Sequence, residues 1–184
     1  MKETIKITSV LTVVCMLCAF FLSFVYDKAQ IKIKENKKKD IEDAISKLMP
    51  EASAEKIEID NEQIYRLSNK KNGLLAYAFI ASGQGYQGKI KMLVVVDSSF
   101  KKLEGIEVLE SIETPGLGAK IQEKRFKNQF NGLDVSSPIE YVQGSPDKDN
   151  QIVAITGATV SSRAVTNILN KKIEELKKIM EIKL

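Results

Sequence analysis

Residues 85–110 read GYQGKIKMLVVVDSSFKKLEGIEVLE, two apolar, β-branched runs separated by Asp97-Ser98-Ser99. In the first run Ile90, Met92, Val94 and Val96 alternate with Lys91, Leu93 and Val95. That period of two sends successive side chains to opposite faces of a strand. Short turns between such runs make an antiparallel meander. The same run decides a motif just upstream. GQGYQG, residues 83–88, fits G-x-G-x-x-G. A dinucleotide loop needs a helix after it, whose N-terminus faces the pyrophosphate. Here a strand follows, so the glycines read as a hairpin turn. They still leave room for a flat ligand to approach the backbone.

Upstream, EKIEID, IYRLSN and LLAYAFIA extend the meander back to residue 55, bounded by turns such as Lys71-Asn72-Gly73. Downstream, Pro115-Gly116 and Gly118 predict a tight, backbone-rich loop. A short amphipathic helix with Phe126 and Phe130 on one face follows, then a surface loop at 144–150 and a short strand, QIVAI. Val165, Ile168, Leu169, Ile173, Leu176 and Met180 form a helical stripe of about 20 residues. Strands come first and helices after, which predicts an α+β fold, an antiparallel sheet with packed helices.

One N-terminal transmembrane helix precedes that fold. No charged residue occurs from Ile7 to Tyr26, a run that matches the hydrocarbon thickness of a bilayer. SFVYDKAQ offers no small-x-small cleavage site, so the segment reads as a retained span. The expected organisation is a short tail at 1–6, a transmembrane helix at 7–26, a charged stalk with a short helix at 27–50, and a domain at 51–184. Ile41, Ala44, Ile45 and Leu48 recur at helical spacing in the stalk, and Pro50 ends the pattern. Lys28, Lys32, Lys34, Lys37, Lys38 and Lys39 follow the span, against Lys2 and Lys6 before it. Taken alone, that asymmetry puts the domain in the cytoplasm.

The 184 residues carry a formal net charge of +4. The lysines are interspersed with Asp and Glu, so nucleic acid is not an expected partner. The chain has no His, which removes imidazole ligands and His-based nucleophilic machinery. Its only cysteines, Cys15 and Cys18, lie in the apolar run, so the domain has no disulfide, Cys-ligated zinc or iron–sulfur centre of its own. No metal site and no catalytic residue is expected.

Residues 154–165, AITGATVSSRAV, gather Thr156, Thr159, Ser161 and Ser162 around Gly157 and Ala158 at a helix start. An N-cap by Thr156 or Thr159 accounts for one hydroxyl, at about 1 kcal/mol. The set as a whole suits an anion held by free backbone N–H groups and hydroxyls. No Gly-Lys-Ser/Thr is present, so a Walker-type loop is excluded.

TGAT followed by Val-Ser-Ser resembles the S/T-G-A-T flavinylation motif of proteins that carry FMN through a phosphoester bond. GYQGKIKMLVVVDSSFKKLEGIEVLESIETPGLGAKI resembles an FMN-binding domain shared by two kinds of protein. These are the G subunit of Rnf-type ferredoxin:NAD oxidoreductase complexes and the C subunit of sodium-pumping NADH:quinone reductases. The order of span, stalk, ETPGLG loop and TGAT helix agrees, and the resemblance covers roughly residues 5–180. The short chain without insertions points to the G subunit. The resemblance implies that residues 51–184 form an FMN-binding domain and that Thr159 accepts the FMN phosphate. Gly157 and Ala158 would let the transferase and the phosphate approach, Ser161 and Ser162 would be phosphate partners, and Thr156 would belong to the same cofactor-binding set. Glu113, Thr114, Pro115, Gly116 and Leu117 would line the isoalloxazine, with Leu117 on its face. A structural carboxylate bracing the loop is the alternative for Glu113. One position departs from the family pattern. Val153 stands six before the acceptor, where an acidic residue is usual.

The function implied is an electron-carrier subunit with covalent FMN, in a membrane complex coupling ferredoxin/NAD redox chemistry to Na⁺ or H⁺ translocation. Such a protein has no complete active site of its own. Its partners are other membrane and redox subunits, a flavin transferase and the lipid bilayer. The implied location is a single-pass protein of the inner or plasma membrane, with the large domain on the outer face. A cofactor-free, membrane-anchored scaffold is the alternative function.

Overall fold

The computed structural model describes residues 1–60, 62–69 and 73–183, so Lys71 and Asn72 of the expected turn lie outside the described residues. Two compact units are present, Met1–Asp40 and Ile41–Leu184.

Helix α1 runs from Lys2 to Leu48. The sequence reading, a span followed by a charged stalk running into a short helix, falls on residues that are helical throughout as far as Leu48. The reason is local: there is no Gly or Pro before Pro50, and Lys, Glu, Ala and Leu are strong helix formers. Within Met1–Asp40 the helix has an 18-residue window of mean hydropathy 2.4, none of it buried, and is long and apolar enough to cross a membrane. The Thr8 and Thr12 hydroxyls donate to the carbonyls four residues back, each at 2.9 Å. That satisfies both hydroxyls inside the helix, which an apolar environment demands.

In the second unit five strands form one antiparallel sheet in the order β1-β2-β3-β4-β5. They are β1 Ser53–Ile59, β2 Glu62–Asn69, β3 Gly73–Gln84, β4 Lys89–Asp97 and β5 Leu103–Ser111. β3 and β4 pair from Ala76↔Asp97 to Gln84↔Lys89, leaving residues 85–88 as the hairpin, closed by Gly85 N–H to Gly88 O at 2.7 Å. The glycine motif is therefore a turn between strands. At the other end of β4, Asp97 accepts hydrogen bonds from the N–H groups of Lys101 and Lys102 at 2.7 and 2.8 Å and from the Ser99 hydroxyl.

β4 is apolar on both faces because both are covered. Ile90, Met92, Val94 and Val96 join the main core, which includes the stripe of helix α3, Thr159–Lys183. Leu93 and Val95 face the other way and pack with Ile41, Ala44 and Ile45 from the last turns of α1. Phe126, on the short helix α2 (Lys124–Lys127), stacks edge-on with Phe130 at 5.4 Å, and both are buried.

A second sheet was not anticipated. β6 (Glu140–Val142) and β7 (Gln151–Val153) pair in parallel. Side-chain amides stand in for further strands at their margins. Gln129 accepts from Val153 N–H at 2.7 Å and donates to Val153 O at 3.2 Å. Asn170 does the same for Ile139, at 2.7 and 2.9 Å. Gln129 thus pairs the last residue of β7 where the strand leads into the TGAT turn.

Candidate functional site

Residues 155–158 form a β-turn, closed by Ala158 N–H to Ile155 O at 2.9 Å. Gly157, third in the turn, has φ +80°, the left-handed region that glycine enters without strain. Ser162 staples the turn from inside. Its buried hydroxyl accepts from Ile155 N–H at 3.0 Å and donates to Ala158 O at 3.1 Å.

Helix α3 begins at Thr159. Ala158 therefore occupies the capping position, where a methyl group offers no acceptor. Neither Thr156 nor Thr159 caps the helix. Among the described residues, neither threonine hydroxyl has a hydrogen-bond partner in the chain. Thr156 is exposed and Thr159 half-buried. A helix N-terminus without a side-chain cap, flanked by two uncommitted hydroxyls and an open glycine turn, fits a phosphate group.

Ser161 points elsewhere. Its buried hydroxyl donates to Glu113 Oε2 at 2.5 Å. Glu113 is itself only 6% exposed, and its other oxygen accepts from Tyr86 N–H at 2.8 Å and Gln87 N–H at 3.1 Å. One carboxylate thus ties together the hairpin, the ETPGLG loop and the first turn of α3. Gly118 makes the approach possible. A Cβ there would lie 2.5 Å from Glu113 Oε2 and 2.6 Å from Ser161 Oγ.

Beyond Glu113 the loop doubles back. Leu117 N–H and Ala119 N–H both donate to Thr114 O at 3.1 Å, and Gly116 has φ +77°. Pro115 and Gly116 are exposed and Thr114 is half-buried. Leu117 is 47% exposed, with its Cδ2 only 3.4 Å from where a Gly157 Cβ would sit. The two motifs read separately in the sequence therefore adjoin in space.

Of an apolar rim, the sequence pointed to Leu117 alone. Among the described residues from Ile41 onward, the exposed large apolar side chains are Tyr86, Ile112, Leu117 and Val160. All four belong to segments that meet at Glu113. The hairpin glycines were legible, but nothing in the sequence placed that hairpin beside TGAT. On the α2 side, a cleft of about 470 Å³ runs along residues 153–156, lined also by Lys120, Glu123, Arg125, Phe126 and Gln129. Val153, six residues before Thr159, lines this cleft.

Residues 85–174 match the FMN-binding domain family. The chain is 27% identical over 182 residues to the G subunit of the ion-translocating oxidoreductase complex of Methanosarcina acetivorans, covering 94% of each. It is 26% identical to the G subunit of the proton-translocating ferredoxin:NAD(+) oxidoreductase complex of Clostridium ljungdahlii, covering 92% of this chain and 90% of that one. With the Na(+)-translocating counterpart from Acetobacterium woodii it shares 32% identity, over 74% of this chain and 63% of the relative. The fold is that of NqrC from Shewanella oneidensis, with TM-score 0.54 and 18% identity over 66% of this chain and 63% of that one. The chain thus carries a segment that matches the FMN-binding domain and is similar, over nearly its full length, to the G subunits of ion-translocating oxidoreductase complexes.

Proposed function

We propose that this protein is an electron-carrier subunit of an ion-translocating ferredoxin:NAD oxidoreductase complex, with FMN joined by a phosphoester bond to Thr159. The observation that carries the reading is the start of α3. Thr159 is the first helical residue, its hydroxyl has no partner among the described residues, and no side chain caps the helix. The helix end favours the charge that a phosphodiester keeps. Thr156 is the second free hydroxyl beside it, and Leu117 supplies an apolar wall.

FMN would supply one- and two-electron chemistry, while the chain supplies position and tuning. Linkage through the phosphate leaves the isoalloxazine free to exchange electrons. In attachment, Thr159 Oγ1 would take the flavin phosphate from a phosphoanhydride-activated flavin nucleotide, the anhydride P–O bond breaking as the new one forms, with the nucleotide leaving group released and the hydroxyl proton taken up by a separate flavin transferase. With no His, and with both cysteines in the apolar part of α1, electrons must arrive from and leave to partner subunits. The coupling ion is Na⁺ or H⁺, the ions named for the two relatives above. We assign the domain to the outer face of the membrane on the family resemblance, against the lysine count after the span, because folded domains can translocate despite flanking charge.

The test is to co-produce the chain with a flavin transferase and look for flavin fluorescence on a denaturing gel. A fluorescent band, absent in Thr159→Ala although that variant is folded, is expected. A dark wild-type band with a competent transferase would favour the cofactor-free scaffold.

A further inference from the structure

Glu113 and Ser161 are both buried and hydrogen-bonded to each other, 48 residues apart in sequence, one residue beyond the exposed rim on each side. A phosphate ligand or flavin contact needs an accessible polar group. These two have committed theirs to the chain: Glu113 accepts three hydrogen bonds, and the Ser161 hydroxyl gives its proton to Glu113 Oε2. Ser161 lies two residues after Thr159 in the same helical turn, so whatever fixes Ser161 fixes the height and rotation of the acceptor. The close approach of Gly85 and Gly118 to this carboxylate adds a second, independent sign. A Cβ on Gly85 would collide with Glu113 Oε1 and lie 2.7 Å from Ile90 Cδ1, and one on Gly118 would meet both Glu113 and Ser161. Two glycines are thus given over to letting one side chain reach three segments.

We propose that Glu113 and Ser161 are a positioning pair. They lock the first turn of α3, and with it the Thr159 hydroxyl, against the hairpin and the ETPGLG loop before any flavin is attached. The inference rests on Thr159 being the acceptor. It places Glu113 behind the flavin site, as its brace, and leaves the contact surface to Tyr86, Leu117 and their neighbours. The Ser162 staple gives the turn its own shape, whereas the Glu113–Ser161 pair sets where that turn stands relative to the rest of the site.

The experiment uses the full-length chain in membranes and follows flavin loading in time after a transferase is induced. Wild type, Glu113→Ala, Glu113→Gln and Ser161→Ala are compared, together with amide hydrogen exchange at Tyr86 and Gln87 in the unloaded protein. Gln at 113 keeps an acceptor for both N–H groups and can donate its amide to Ser161 Oγ, so it preserves the geometry with one bond reversed. Loading should slow about ten- to a hundredfold in Glu113→Ala, the range expected when a reacting group is misplaced by about 1 Å. It should recover most of that loss in Glu113→Gln and slow several-fold in Ser161→Ala. Exchange at Tyr86 and Gln87 should be slow in wild type and Ser161→Ala and fast in Glu113→Ala. If Glu113→Ala fails to fold, Ser161→Ala, which removes a single bond, decides. Loading of a folded Glu113→Ala or of Ser161→Ala at the wild-type rate would overturn the pairing, as would fast exchange at Tyr86 and Gln87 in wild type. A wild type that takes no flavin while exchange stays slow would instead overturn the acceptor reading, and this role with it.

Discussion

Thr156, Thr159, Ser161 and Ser162 stand within seven residues and have three different fates. Ser162 closes the turn, Ser161 serves Glu113, and the two threonines remain uncommitted. Composition alone could not divide them, because the division depends on what lies 48 residues upstream. Gly157 has the sharpest single-residue consequence. At φ +80° a Cβ is strained even though the space it would enter holds only Leu117 Cδ2 at ordinary contact distance. Gly157→Ala should therefore cost about 1 kcal/mol or more in urea unfolding and slow flavin loading without abolishing it. A variant as stable as wild type would mean that the turn relaxes out of the left-handed region.

At the scale of elements, the alternation in KIKMLVVV placed β4 correctly, because a residue's face in a strand follows from sequence parity alone. The TGAT helix start and the stripe from Val165 to Met180 were equally legible, and all six stripe residues are buried. The parallel pair β6–β7 was not. Three-residue strands carry too little periodicity, and their margins are completed by the Gln129 and Asn170 side chains, whose partners are distant in sequence. The β4–β5 turn makes a pH prediction. Burial pushes the Asp97 carboxyl upward, but hydrogen bonds from Lys102, Ser99 and Lys101 outweigh it and hold the group below its ordinary value. A carboxyl depressed in the folded state contributes stability above the unfolded value and loses it as pH falls through the folded one. Asp97→Asn should thus lower the urea midpoint at pH 7, and the gap from wild type should close below about pH 4. A gap constant from pH 7 to pH 3 would assign the effect to shape and not to charge.

For the whole molecule, the unit Ile41–Leu184 begins with helical turns that belong to its core. Ile41, Ala44 and Ile45 cover the face of the sheet that carries Leu67, Ala76, Ala78, Leu93 and Val95. A chain beginning at Ile41 should therefore be soluble and cooperative in unfolding, whereas one beginning at Glu51 should expose that apolar face and aggregate. Equal behaviour of the two in sedimentation and thermal unfolding would contradict the packing described. The sequence marked the segment from Ile41 to Leu48 as helical but placed it in the stalk, because periodicity reveals that a face is apolar without revealing what it meets.

Everything proposed for the molecule turns on Thr159 as the flavin acceptor, and peptide mass mapping of the full-length chain, purified from cells with a flavin transferase, decides that point. The expected result is one FMN in phosphoester linkage on the peptide containing Thr159, with none on Thr156, Ser161 or Ser162 and none in Thr159→Ala. An unmodified Thr159 peptide from a flavin-bearing protein, or flavin released intact on denaturation, would show that the assignment is wrong.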